Sequence, residues 1–181
     1  MKITSDTYYH LYNRGNNKEL IFLESENYIY FLNQFKKYVL PFCEVYSYCL
    51  MPNHFHFFIR VNDGADFDKG IKNFFISYSK SINKKYNRVG SLFQGRYKTS
   101  EITSDSYYTK IITYIHQNPV VAGIVQKMED YKYSSYTAYL STKESTLNRD
   151  EVLEWFGGLH GFIADHKTEI DEHKINKLLK I

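Results

Sequence analysis

Residues 43–61 read CEVYSYCLMPNHFHFFIRV, and this stretch decides the fold. Two runs rich in aromatic and β-branched residues, 43–51 and 54–61, flank Pro52-Asn53, a pair with turn chemistry. They read as two strands paired in a hairpin, closed by Asp63-Gly64. Alternation along the second strand puts His54 and His56 on one face and Phe55 on the other. Their Cα atoms then lie about 7 Å apart, close enough for both imidazoles to converge on one divalent ion. Two ordinary surface histidines fit the same pattern. By the same alternation Cys43 and Cys49, an even number of residues apart, share a face. Two cysteines are too few for a disulfide scaffold or a four-cysteine zinc site, so they read as reduced, half-buried thiols.

Outward from the hairpin, YYHLYN at 8–13 reads as a strand that ends in the turn residues Arg14-Gly15-Asn16-Asn17. Glu24 to Leu40 reads as a helix, capped by Ser25 and ended by Pro41, with Tyr28, Phe31, Leu32, Phe35 and Val39 at helical spacing. A second helix runs from about Asp66 to Tyr86. It carries Ile71, Phe74, Phe75, Tyr78 and Ile82 on one side and Lys69, Lys72, Lys80, Lys84 and Lys85 on the other. Residues 91–102 read as an extended segment with a bulge at Gly95. A third helix starts at Ser104 or Asp105 and stops at Asn118, because Pro119 disfavours helical geometry in the residue before it. A short helix or turn follows at 132–140. The tail carries one helix around Asp150 to Phe156 and another from about Asp165. The fold class is α+β. The order β, α, β, β, α, β predicts a ferredoxin-like antiparallel sheet with helices on one face, a further helix, and a small helical tail. The other sheet face is left free for a site.

The chain has 181 residues, 43% of them apolar and 24% charged, which suits one packed domain and excludes wholesale disorder. No apolar run is long enough to span a bilayer, and MKITSDTYYH lacks the apolar core of a secretory signal, so no membrane partner and a cytoplasmic location are expected. Tyrosine occurs 18 times and phenylalanine 13 times. The net charge of +3 hides a strong asymmetry: residues 69–110 hold nine basic and two acidic residues, residues 143–173 three basic and eight acidic. A basic, aromatic-rich segment suits nucleic acid through phosphate neutralisation and base stacking, although half-buried tyrosines also rim any core.

A second constellation lies on the third helix. Tyr107, Lys110, Tyr114 and Asn118 are spaced by three, four and four and share one face. A tyrosine hydroxyl is a nucleophile when its electrophile is polarised, and a metal on a phosphate does that. The Asn118 amide oxygen, one turn from Tyr114, is a hard ligand of the kind magnesium or manganese prefers. Plain packing of Tyr114 among Ile111, Ile112 and Ile115 explains the same spacing. Arg96 and Lys98, flanking Tyr97, can hold a phosphodiester backbone or simply protect an edge strand. Asn13-Arg14-Gly15 is a turn or a second contact to nucleic acid.

Taken together, these segments resemble the single-tyrosine HUH transposases, most closely their REP-associated tyrosine transposase branch. The matching pieces, in family order, are YNRGNNKELIF at 12–22, YCLMPNHFHFFIRV at 48–61, GSLFQGRYK at 90–98, YIHQNPVVAGIV at 114–125 and YKYSSYTAYL at 131–140. The resemblance covers residues 8 to 140 and implies a transposase domain over 1–141 with a C-terminal helical appendage at 142–181. In that appendage VLEWFGG resembles a small element of REP-type relatives.

The resemblance implies that His54 and His56 bind a divalent metal, Mg2+ or Mn2+, with Asn118 as the third ligand. Tyr114 becomes the nucleophile that forms a 5′-phosphotyrosine with single-stranded DNA next to a hairpin. His116, on a different helical face, is not assigned to the metal. Arg14, Arg96, Lys98 and Asn13 become candidate DNA contacts, with Tyr133, Ser134 and Ser135 as further ones. The resemblance allows a monomer or a homodimer. Two other readings of the residues are a non-catalytic module that holds single-stranded nucleic acid by stacking and a metal-dependent nuclease that uses water.

Overall fold

The structure, a computed structural model, describes residues 3–168. Four strands, β1 (Thr7–Arg14), β2 (Cys43–Met51), β3 (His54–Val61) and β4 (Lys98–Glu101), form one sheet in the order β2-β3-β1-β4. All three pairings are antiparallel. Helices α1 (Ser25–Tyr38) and α2 (Gly64–Lys85) complete the ferredoxin-like unit predicted from the sequence.

One face of the sheet is packed by Leu11, Leu50, Phe55, Phe57, Ile59 and Val61 against α1 and α2. From α1 come Tyr28, Phe31 and Phe35, and from α2 Ile71, Phe74, Tyr78 and Ile82, all buried at the spacing read from the sequence, with Phe67 added by the structure. Phe75 departs from that reading: it is only half-buried, on the flank of α2. The start of α1 also differs, because Glu24 rather than Ser25 is the N-cap residue. Asn27 Oδ1 accepts the backbone N–H groups of Leu23 (2.9 Å) and Glu24 (3.3 Å), so an amide one turn in does the capping. At α2, Asp63 Oδ1 accepts from Ala65 N (2.9 Å) and Asp66 N (3.1 Å).

The opposite sheet face is not free. It is covered by α3 (Tyr108–Val121), α4 (Tyr136–Tyr139), α5 (Arg149–Trp155) and α6 (Leu159–His166). Ile111, Ile112 and Ile115 of α3 bury against Tyr46, Cys49, Met51 and Phe58 of the sheet, and Val152, Phe156 and Phe162 extend that second core. The described part of the tail packs both on α3 and directly on the sheet, where the Trp155 ring stacks on Tyr46 at 5.0 Å. The last described helix begins at Leu159 and ends at His166, so it starts earlier than the expected position near Asp165. Lys174, Lys177 and Lys180 lie outside the described residues.

Two local features overturn sequence expectations. The helix does not stop at Asn118: α3 continues through Pro119 to Val121. The missing proline N–H removes one helical bond, but Ala122 N reaches Asn118 O at 2.9 Å and Gly123, at φ +68°, ends the helix. The cysteines do not share a face. A bulge between Val45 and Ser47 inserts a residue into β2, so Cys43 enters the first core and Cys49 the second. Both thiols are free and buried.

The outer edge of β2 is covered by the following chain. Leu50 N donates to Tyr133 O (3.0 Å), Ser135 N to Tyr48 O (3.0 Å), and Asn148 N to Val45 O (3.0 Å). A buried polar chain then ties α3 to α6. His166 Nδ1 bonds the Phe162 carbonyl (2.7 Å), His166 Nε2 meets His116 Nδ1 (2.8 Å), and His116 Nε2 meets Ser135 Oγ (2.7 Å). A carbonyl only accepts, so each link is set in turn. His166 carries its proton on Nδ1, His116 on Nδ1, and the Ser135 hydroxyl donates to His116.

Burial lowers the His166 pKa from 6.5 to about 4, opposed by the Phe162 carbonyl bond. Unfolded chains therefore take up a proton near pH 6.5 that the folded chain refuses until about 4. Stability is expected to fall as pH drops through this window, by up to about 3 kcal/mol from this residue, and to change little above pH 7. Thermal melts between pH 4 and 8 of the wild-type and His166→Gln chains measure this, and a variant melting curve with an unchanged pH slope contradicts it.

Candidate active site

The pairing of β1 with β3 sets Tyr12 opposite His56 and Arg14 opposite His54. All four are on the sheet face that meets α3, at the end of the hairpin near the Pro52-Asn53 turn. They open into a cleft of about 520 Å³, whose other walls are Asn13, Lys18, Asn53, Gln94, Lys98, Tyr114 and Asn118. The His54 and His56 rings lie 5.1 Å apart, nearly perpendicular at 85°. Tyr114, on α3, presents its ring edge-on to His56 at 5.7 Å and 78°. The His-x-His strand and the Tyr114 helix, read separately in the sequence, thus meet in one place.

Each imidazole is held from behind. His54 Nδ1 lies 2.7 Å from Asn53 Oδ1, and Asn53 Nδ2 donates to the Lys18 carbonyl at 3.2 Å. Since the Asn53 oxygen accepts, His54 carries its proton on Nδ1 and keeps the Nε2 lone pair for the cleft. His56 Nδ1 lies 2.8 Å from His10 Nε2, with the two rings stacked at 5.0 Å and 7°. Burial lowers the pKa of His54, with the Asn118 hydrogen bond opposing and the Arg14 charge adding. Burial, then the neighbouring His10 and His54, hold His56 well below the usual histidine range. His10, with no exposed surface, is pushed down to about 3 by burial. Neutral imidazoles with lone pairs available are what a divalent ion requires of histidine.

Asn118 Nδ2 donates to the Tyr114 carbonyl at 2.8 Å, one turn back along α3. That bond orients the amide while its side chain also meets His54. Two imidazoles and an amide oxygen thus converge on a cleft whose described lining contains no carboxylate but three cations, Arg14, Lys18 and Lys98. Arg14 Nε bonds Gln94 Oε1, and Lys98 Nζ sits 5.9 Å above the Tyr12 ring. Such a site attracts anions and has neutral donors for one metal ion.

The other expected contacts are distributed differently. Asn13 lines the cleft but is buried, its Oδ1 taken by the Arg14 N–H at 2.9 Å. Arg96 lies outside the cleft, on a neighbouring groove. Tyr133 stacks on Tyr28 at 3.6 Å and bonds Ser25 Oγ at 2.8 Å, away from the cleft. Ser134 and Ser135 are buried, with 4% and 0% exposure, so they are framework residues and not DNA contacts. Ser135 Oγ accepts the Tyr48 N–H at 2.9 Å and donates to His116. His116 is buried and outside the site, as its helical face implied. Sequence reasoning missed His10, Asn53, Lys18 and Gln94. His10 is two residues from Tyr12 on a strand, a period-two signal, but its link to His56 depends on a register that pattern alone does not show.

The sequence pattern of the family described as "Transposase IS200 like" matches residues 3–118, more than half of the chain. A Haemophilus influenzae protein carrying the name REP-associated tyrosine transposase is 25% identical over 125 residues, 59% of this chain and 69% of that protein. The solved structure of a REP-associated tyrosine transposase bound to a REP hairpin is similar at a TM-score of 0.62, with 16% identity over 78% of this chain and 83% of that one. At that identity the likeness is one of fold.

Burial separates framework from surface at this site. Ser135→Ala strands the Tyr48 N–H and the His116 acceptor and is expected to cost about 1–3 kcal/mol of stability. Arg14→Ala, at an exposed position, is expected to stay within about 0.5 kcal/mol. Urea denaturation of both variants checks the contrast.

Proposed function

The chain belongs to the IS200-like transposase family, which makes it a DNA transposase, and from that premise we propose how it cuts and joins its substrate. The substrate is single-stranded DNA beside a hairpin, and Tyr114 is the nucleophile. The observation that carries this reading is the meeting of Tyr114, two neutral imidazoles and three cations in one cleft whose described lining has no carboxylate.

A DNA strand enters with its phosphates paired to Arg14, Lys18 and Lys98, which screen the charge that otherwise repels an incoming oxygen. His54, His56 and Asn118 would hold a divalent ion, Mg2+ or Mn2+. When bound, it supplies positive charge that polarises the scissile phosphate. Asn53 and His10 keep the imidazoles in place and their cleft-facing nitrogens aligned. The Tyr114 hydroxyl oxygen attacks phosphorus, the bond from phosphorus to the 3′ oxygen breaks, and a 5′-phosphotyrosine remains. The phenol loses its proton and the departing 3′ oxygen gains one. Attack by another DNA 3′-OH reverses the step. Bond energy is kept in the phosphotyrosine, so joining needs no nucleotide triphosphate. With imidazole nitrogens in its donor set, the site favours Mn2+ over Mg2+.

Tyr114→Phe is expected to abolish the covalent protein–DNA adduct on a denaturing gel and to lower cleavage of a hairpin oligonucleotide by at least about a thousandfold. Binding of the same oligonucleotide stays within about twofold. Cleavage at the wild-type rate by this variant assigns attack to water instead. Absence of any adduct or cleavage by the wild-type chain with Mn2+, on hairpins from the repeats flanking its gene, points to a binding module. His56→Ala is expected to remove the response to added Mn2+ in both cleavage and direct Mn2+ binding.

A further inference from the structure

Residues 94–98 form a wall with two sides. Gln94 and Lys98 face the cleft that holds Tyr114, while Gly95, Arg96 and Tyr97 line a second and larger groove of about 920 Å³ against the outer flank of α2. We infer that this groove binds unpaired nucleotides of the strand that is cut at Tyr114, an inference that rests on the proposed function. The bases lie on an aromatic floor and the phosphates on Lys69, Lys72 and Arg96.

The floor is Phe75, Tyr97 and the exposed Ile76, above the buried Phe93. Phe75 and Tyr97 are parallel, 3° apart with centroids 5.9 Å apart, and Phe93 meets Phe75 edge-on at 4.8 Å. The Tyr97 hydroxyl donates to Asp68 Oδ1 at 2.6 Å, which pins the ring. The buried residues of α2 that build the first core are Phe67, Ile71, Phe74, Tyr78 and Ile82. Phe75 is half-buried at the rim of that core beside Phe55 and Phe93, and Ile76 is turned out to solvent. An isoleucine 54% exposed, in the middle of a lysine stripe, is an apolar surface without a described cover.

The charge chooses the occupant. Lys69, Lys72 and Arg96 are exposed, and none of them forms an ion pair with another described residue. The single carboxylate lining the groove, Asp68, is engaged by Tyr97. Rings flanked by unpaired cations of one sign match single-stranded nucleic acid, in which every base has a face to stack and every linkage a charge. A peptide has no such regular charge. The groove and the cleft lie on the two sides of the short wall 94–98, so a strand that crosses the wall reaches both. Gly95, at φ +68° with open space around it, lets the wall turn between them.

The probe is fluorescein-labelled dT20, followed by anisotropy from 50 to 300 mM NaCl, with an abasic 20-mer as the base-free control. The triple variant Lys69→Ala/Lys72→Ala/Arg96→Ala is expected to bind dT20 at least tenfold more weakly. Its salt slope falls by about two, at about 0.7 per lost cation. Phe75→Leu, chosen to preserve the packing on Phe93 and checked by thermal melting, is expected to lose the preference for dT20 over the abasic strand. The cleft variant Arg14→Ala/Lys98→Ala separates the two proposals. If it weakens dT20 binding while the triple variant and Phe75→Leu match wild type, the groove assignment is wrong and the cleft reading stands. If none of the variants changes binding, both fail.

Discussion

The structure depends on the register between β1 and β3. A strand shows alternate residues to opposite faces, and here both faces are occupied. Phe55 and Phe57 enter the core beneath α1 and α2, while His54 and His56 face α3. A slip of one residue would put two imidazoles into a hydrocarbon core and two phenylalanines into a cleft. The first core alone opposes that, since Phe55, Phe57 and Ile59 are fully buried or nearly so. Packing thus positions a site it does not touch. The Pro52-Asn53 turn adds a second restraint: the Pro52 carbonyl accepts from Ile21 and Phe22, and the Asn53 carbonyl from Gly15.

Burial does the chemical work on the histidines. Removing water penalises the charged imidazolium, so His10, His56, His116 and His166 all stay neutral where exposed histidines begin to protonate. The consequences differ with position. Between α3 and α6 the chain from the Phe162 carbonyl to Ser135 determines each tautomer and acts as structure. At the cleft, Asn53 determines the tautomer of His54, and His10 backs His56 without a carbonyl beyond it. The same residue type thus serves as a tether in one core and as a ligand donor at the edge of the other.

The basic segment 69–110 also acquires a shape. Its charges do not form one patch. Lys85 pairs with Glu24 and Arg88 with Glu19, while Lys98 joins the cleft and Lys69, Lys72 and Arg96 the groove. Pairing with acids on distant segments removes two charges from the surface field, and the strand-to-loop wall at 94–98 divides most of the others between two cavities. Linear charge counting sees the excess but not this division.

The sequence by itself determined the element order, the ferredoxin-like sheet, the shared face of His54 and His56, and the common helical face of Tyr114 and Asn118. These follow from periodicities of two and 3.6 residues and from turn chemistry, which are local. It also carried the family, because MPNHFHF and YIHQNPVVAG stand in one chain. Only the tertiary structure decided the rest. The bulge at Val45/Ser47 sends Cys43 and Cys49 to opposite faces, and the helix outlasts Pro119 because the next turn makes its own bonds. Ser134 and Ser135 became framework rather than surface, and His10 and Asn53 became the supports of the imidazoles. In each case the reason is the same. Which residue meets which across a sheet or between helices is set by strand register and by the competition of many side chains for one buried volume, and neither is written in the neighbours along the chain.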